Sequence, residues 1–106
     1  MTDLNHAIVI TTTDNAAEAK SLAKGIVTER LAACVQETVI SSTYWWDGEV
    51  ESADEFLLLC KTTKDRVEAL TSWVLANHSY DTPEVVELPI EGGSDAYLAW
   101  ITANTR

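Results

Sequence analysis

The side chains best suited to chemistry gather in one short run, His78-Ser79-Tyr80-Asp81-Thr82-Pro83-Glu84. An imidazole, a phenol and two carboxylates meet there, at the joint between a helical pattern and a strand-like one. His78 is one of only two histidines in the chain, so its placement carries weight. Imidazole nitrogen with carboxylate oxygen suits a borderline divalent cation such as Cu(II) or Zn(II). His78 and Glu84 are the candidate metal ligands, with Asp81 as a third. A tight metal site normally takes three or four protein ligands in fixed geometry, and only two or three are in view. The same groups equally suit a buried brace, in which Tyr80 packs beneath the turn and His78 or Glu84 bonds its hydroxyl or nearby amides.

Other chemistry is sparser. Lys61, beside the apolar run Phe56 to Cys60, could meet an anion or carry its ammonium out to water along its own aliphatic stem. Tyr44, Trp45 and Trp46 crowd one end of a hairpin, which reads as an interface or a pocket wall, or else as an ordinary cross-strand aromatic pair. Cys34 and Cys60 sit inside strand-like runs without a CxxC spacing, so they read as small buried hydrophobes rather than a zinc ribbon or redox pair. No phosphate-binding glycine loop or nucleophile elbow occurs, and Ser79 is merely the neighbour of His78. Nucleophilic catalysis is unsupported, and the chain is not read as an enzyme.

The elements that must position these groups follow from periodicity. Ala7 to Thr12 is a first strand. Asn15 with Glu18 resembles a capping box, and Ala19, Leu22, Ala23, Ile26 and Val27 then form one helical stripe. Gly25 inside that stripe costs about 1 kcal/mol relative to alanine, which marks a close backbone contact. Ala32 to Thr43 is a second strand, Asp47-Gly48 has type I′ hairpin chemistry, and Glu55 to Thr62 is a third strand. Thr63 can cap a second helix lined by Val67, Leu70 and Val74, with Trp73 extending the stripe. Glu84 to Ile90 is a fourth strand, and Pro89 reads as marking an edge strand or the strand's end. After the Gly92-Gly93 turn, Ser94 or Asp95 caps a short last helix.

The expected order β-α-β-β-α-β plus a terminal helix is an α+β, ferredoxin-like sandwich, built as one domain over residues 1–106 because the chain is too short for two cores. Both helices then lie on one face of the sheet. Ile8 to Ile10 and Phe56 to Cys60 are nevertheless apolar at consecutive positions, so the second face also wants cover, and the chain has no spare element large enough to give it. Self-association is expected on that ground alone.

Composition narrows the partners. Seven basic residues against seventeen acidic ones give a net charge of −10, which argues against nucleic acid, since phosphate binding needs clustered Lys and Arg. No apolar run approaches the roughly 20 residues that span a bilayer. The first residues lack a basic and then apolar leader pattern, so a cytoplasmic location is expected.

Taken together, Glu29-Arg30-Leu31-Ala32-Ala33-Cys34-Val35, Tyr44 with Trp46-Asp47-Gly48, Lys61-Thr62, His78-x-Tyr80-x-x-Pro83-Glu84 and Tyr97-Leu98-x-Trp100 resemble, in order and spacing, the CutA-type divalent-cation tolerance family. The likeness runs from about Ala7 to Ala103. It implies a homotrimer joined through sheet edges, much like PII signalling proteins, and a cytoplasmic role in tolerance of copper and other divalent ions with no established enzymatic reaction. It also implies a ligand cleft between subunits, with Trp46, Lys61 and Tyr80 as its candidate lining and His78 and Glu84 as metal contacts. Three positions depart from the pattern. A first-strand cysteine that has been considered a copper ligand in some relatives is Thr11 here, Asn77 stands where some have histidine, and Ser79 where proline is usual. Loss of a thiolate and an imidazole leaves mainly His78 and Glu84, for a harder or borderline cation. The alternative reading is a PII-like signalling or scaffolding trimer that binds a small metabolite or a partner protein.

Overall fold

A computed structural model describes residues 5–106; residues 1–4, on which part of the leader reading rests, lie outside the described residues. The chain runs β1 (His6–Thr13), α1 (Ala16–Thr28), β2 (Cys34–Trp46), β3 (Glu49–Thr63), a 3-10 turn (Lys64–Arg66), α2 (Val67–Asn77), β4 (Val85–Ile90) and α3 (Asp95–Ala103). The strands form one antiparallel sheet in the order β2-β3-β1-β4. This is the expected ferredoxin-like arrangement, and β4, with Pro89, lies at an edge.

Strand alternation divides the sheet into two faces. Ala7, Val9, Thr11 and Thr13 are fully buried and pair across to Thr62, Cys60, Leu58 and Phe56. They form the core with Ala19, Leu22 and Ile26 of α1 and Val67, Leu70 and Val74 of α2. At about 25 cal/mol per Å² of apolar area removed from water, this layer supplies the main stabilising term. On the second face, Ile8 and Ile10 sit between Lys61 and Leu59 of β3 and Leu88 and Val86 of β4. The expectation that nothing in the chain covers this face needs one correction. The helix α3 lies over one end of it, where Ile101 is fully buried, His6 Nε2 meets Thr102 Oγ1 at 2.8 Å and Lys61 reaches Tyr97. Val86 and Leu88 remain exposed.

Three local features fix the geometry around the site. Asn15 caps α1, its side chain accepting the Glu18 N–H at 2.9 Å. The reciprocal half of the capping box is relayed: the Asn15 N–H donates to Thr13 Oγ1, which donates to Glu18 Oε1. Gly25 is a close approach, since a Cβ there would lie 2.6 Å from the Trp73 ring. The hairpin turn has φ 51° at Asp47 and φ 79° at Gly48, the left-handed pair a type I′ turn requires. The sequence pattern begins the third strand at Glu55. The observed β3 starts at Glu49 and pairs continuously with β2 to the turn, so the hairpin is one long arm. The second helix is likewise preceded by the 3-10 turn, whose N-cap position Thr63 occupies with its hydroxyl donating to Asp65 Oδ1 and accepting no amide of the turn.

Candidate functional site

The end of α2, the end of β1 and the first turn of α1 converge on His78. Its side chain has 0% exposure. Nε2 lies 2.8 Å from the Thr12 carbonyl oxygen, and Nδ1 accepts the Tyr80 N–H at 3.1 Å. An oxygen that only accepts and an amide that only donates define the Nε2–H tautomer of a neutral ring. Glu18 Oε1 stands 3.4 Å from Nδ1, and the Glu18 carboxylate also accepts from the Thr13 hydroxyl and from Ser79. Burial pushes Glu18 up, but the hydrogen bonds from Ser79 and Thr13 outweigh it, so its pKa lies below the usual carboxylate range.

Tyr80 completes the corner. Its ring lies 4.7 Å from that of His78, centroid to centroid, and its hydroxyl donates to Glu55 Oε2 at 3.4 Å. Burial above all, with the Asp14 and Glu55 carboxylates adding to it, pushes the phenol up to about 12 despite an opposing backbone hydrogen bond at Asp14. The segment from His78 to Tyr80 is therefore a satisfied hydrogen-bonded brace that ties β1, α1 and the turn together. A cation at His78 would have to displace the Thr12 carbonyl or the Tyr80 amide. Glu84 stands outside the brace, exposed just ahead of β4, and Asp81 is exposed as well. Among the described residues no group of three or more His, Cys, Asp and Glu side chains is disposed to hold a metal ion.

The departures read from the sequence have clear places. Thr11 is fully buried on the helix-facing side, and its hydroxyl has no hydrogen-bond partner among the described residues. Asn77 donates to the Trp73 carbonyl at 2.8 Å, closing the last turn of α2. Cys60 is fully buried, and burial above all pushes its thiol up to about 12, which holds it as a protonated hydrophobe. Cys34 is half-buried.

Trp46, Lys61 and Tyr80 do not share a pocket within one chain. Tyr80 touches Glu55, and Lys61 is six residues along the same strand, roughly 20 Å away at the rise of a β-strand. Trp46 pairs with Glu49, again roughly 20 Å from Glu55 in the other direction. At the arm's tip Trp45 is 75% and Trp46 68% exposed. Glu18 is the residue at this corner that sequence reasoning missed. Its capping-box position drew attention to its amide, whereas its carboxylate accepts from Thr13 and Ser79 and stands beside the His78 ring.

A ferredoxin-like α+β protein with a braced histidine turn, a long aromatic hairpin and a second apolar sheet face is thus defined. The CutA1 divalent ion tolerance protein family matches residues 7–104, and the chain belongs to that family. It is 50% identical over 100 residues to Protein CutA, chloroplastic, of Arabidopsis thaliana, covering 93% of this chain and 55% of that protein. It is 43% identical over 99 residues to the divalent-cation tolerance protein CutA of Thermus thermophilus, covering 92% and 96%. The chain spans little more than half of the plant relatives it matches, 55% and 56% of the Arabidopsis and Oryza sativa proteins. Among solved structures, CutA1 from Oryza sativa superposes with a TM-score of 0.94 at 45% identity, over 100% of this chain and 98% of that one. CutA from Synechococcus elongatus gives 0.95 at 32% identity, over 100% and 95%. Among the described residues no helix is long and apolar enough to cross a membrane.

Proposed function

We propose that this chain acts as a homotrimer in tolerance of divalent metal ions, copper among them, by weak cation binding in clefts between protomers. The observation that carries the reading is that Trp46, Lys61 and Tyr80 stand beside three well-separated points of β3, at Glu49, at Lys61 itself and at Glu55: only a neighbouring copy can bring such residues to one cleft. The uncovered apolar face with Val86 and Leu88, and the exposed Trp45 and Trp46 at the arm's tip, support the same assembly. At this cleft Glu84 supplies the accessible carboxylate, while His78 holds the turn on which Glu84 is carried. Carboxylate and water ligation of this kind is open and weak, and it suits a borderline cation such as Cu(II) or Zn(II) without a resident cofactor. The protein does this as a non-enzymatic factor, without nucleic acid or membrane as partner. A cytoplasmic location belongs to the same proposal, although plant relatives carry the word chloroplastic in their names.

Isothermal titration of Cu(II) and Zn(II) into the assembled protein tests the cation part. Glu84→Gln is expected to lose most of the binding heat, and His78→Ala to lose it only where the turn is disordered by circular dichroism. Unchanged heats in Glu84→Gln would remove Glu84 as a ligand. A second reading, a PII-like trimer that binds a small metabolite or a partner protein, is favoured by one observation: Lys61 has no carboxylate partner among the described residues.

A further inference from the structure

Lys20 and Lys64 each meet a glutamate, whereas Lys61 is half-buried and makes no salt bridge among the described residues. Its cross-strand neighbours are Cys34 on β2 and Ile8 on β1, and neither carries charge. The ammonium instead lies 3.4 Å from the Tyr97 hydroxyl and 5.3 Å from the centroid of the Tyr97 ring. Tyr97 stacks in turn on Trp100, one helical turn along α3, with centroids 5.6 Å apart and planes inclined by 23°. The two rings remain 40% and 43% exposed. A cation, a phenol and two near-parallel rings thus form one surface between β3 and α3.

We propose that Lys61, Tyr97 and Trp100 bind a small planar aromatic carboxylate. The exposed ring surface offers a stacking platform for a flat π-system, and the Lys61 ammonium gives the carboxylate a charge-assisted hydrogen bond beside it. A single cation fits one carboxylate and not a polyphosphate, which would need several Lys or Arg side chains. This site goes beyond the cation reading and gives the metabolite reading a ligand class.

The probe is indole-3-carboxylate, titrated into the full assembled chain by calorimetry, with neutral indole and acetate as its two halves. Saturable binding of the whole probe is expected, at least tenfold tighter than either half. Lys61→Met is expected to weaken it about tenfold while leaving neutral indole unchanged, as the loss of one charge-assisted contact requires. Trp100→Leu weakens the probe and indole alike. Wild-type NMR chemical-shift mapping carries the test independently of any variant that fails to fold, with the largest shifts expected at the Tyr97 and Trp100 rings. No saturable binding at about 10 mM probe, well above the millimolar affinity a weak small-ligand site shows, overturns the site. Shifts centred elsewhere, equal affinity in Lys61→Met, or protection of both rings by a neighbouring copy overturn it as well. A trimer that binds cations but ignores the probe rejects this site alone and leaves the proposed function standing.

Discussion

Glu18 receives hydrogen bonds from Thr13 and Ser79 and faces His78, so its charge is held in place by three elements at once. Its folded pKa lies below its unfolded value. A depressed carboxylate contributes stability that is full above the unfolded value and is lost as pH falls through the folded one. Urea midpoints measured from pH 7 down to pH 3 should therefore drop on the acid side in the wild type. Glu18→Gln should be less stable at pH 7 and show a shallower acid decline; an identical decline in both would mean that Glu18 does not set it. The brace also explains what could be read at this site in advance. The residue types of His78 to Glu84 announced either a metal site or a hydrogen-bonded turn. Choosing between them needed the Thr12 carbonyl, 66 residues away in sequence, and the Glu18 carboxylate, and no local pattern reports such distant partners. Tyr80 packing under the turn and bonding of a nearby amide by His78 were legible; the identity of the anchor was not.

Elements whose reasons are local were read most faithfully. Asn15 starts α1, Asp47-Gly48 turns the hairpin, and Ser94 caps α3 through the Tyr97 amide. Arg30 takes φ 57° just past the end of α1, where its N–H bonds the Val27 carbonyl and the Leu31 N–H bonds that of Ile26. That is a Schellman closure with arginine where glycine is usual, and nothing in the local sequence marked it. The beginning of β3 was missed for a related reason. Glu49 to Glu55 stands on an arm that α1 and α2 do not cover, so no apolar alternation was required to form it. Gly25 supplies the prediction at this scale. In an open helix, alanine for glycine would gain about 1 kcal/mol. Here the new methyl would strike the Trp73 ring at 2.6 Å, so Gly25→Ala should instead destabilise by about 1–3 kcal/mol, as overpacking does. Chemical denaturation gives the sign directly, and a more stable variant would show that Trp73 yields.

At the scale of the molecule, the sheet has one face under α1 and α2 and a second that α3 covers only at one end. Ile10, Leu59, Val86 and Leu88 leave an apolar strip beyond it, and the hairpin extends Trp45 and Trp46 into solvent. Apolar surface of this kind is costly for an isolated chain and ordinary for a subunit. The strip was legible because consecutive apolar residues in β1 and β3 cannot all face one helical layer. The partial cover by α3 was not, since the sequence gives the helix but not the face it chooses. The strip and the dispersed positions of Trp46, Lys61 and Tyr80 are what the proposed assembly explains. Sedimentation equilibrium of the purified chain at micromolar concentration tests it most directly. A single species of about three times the 11.6 kDa chain mass is predicted, and a stable species at the mass of one chain would contradict it.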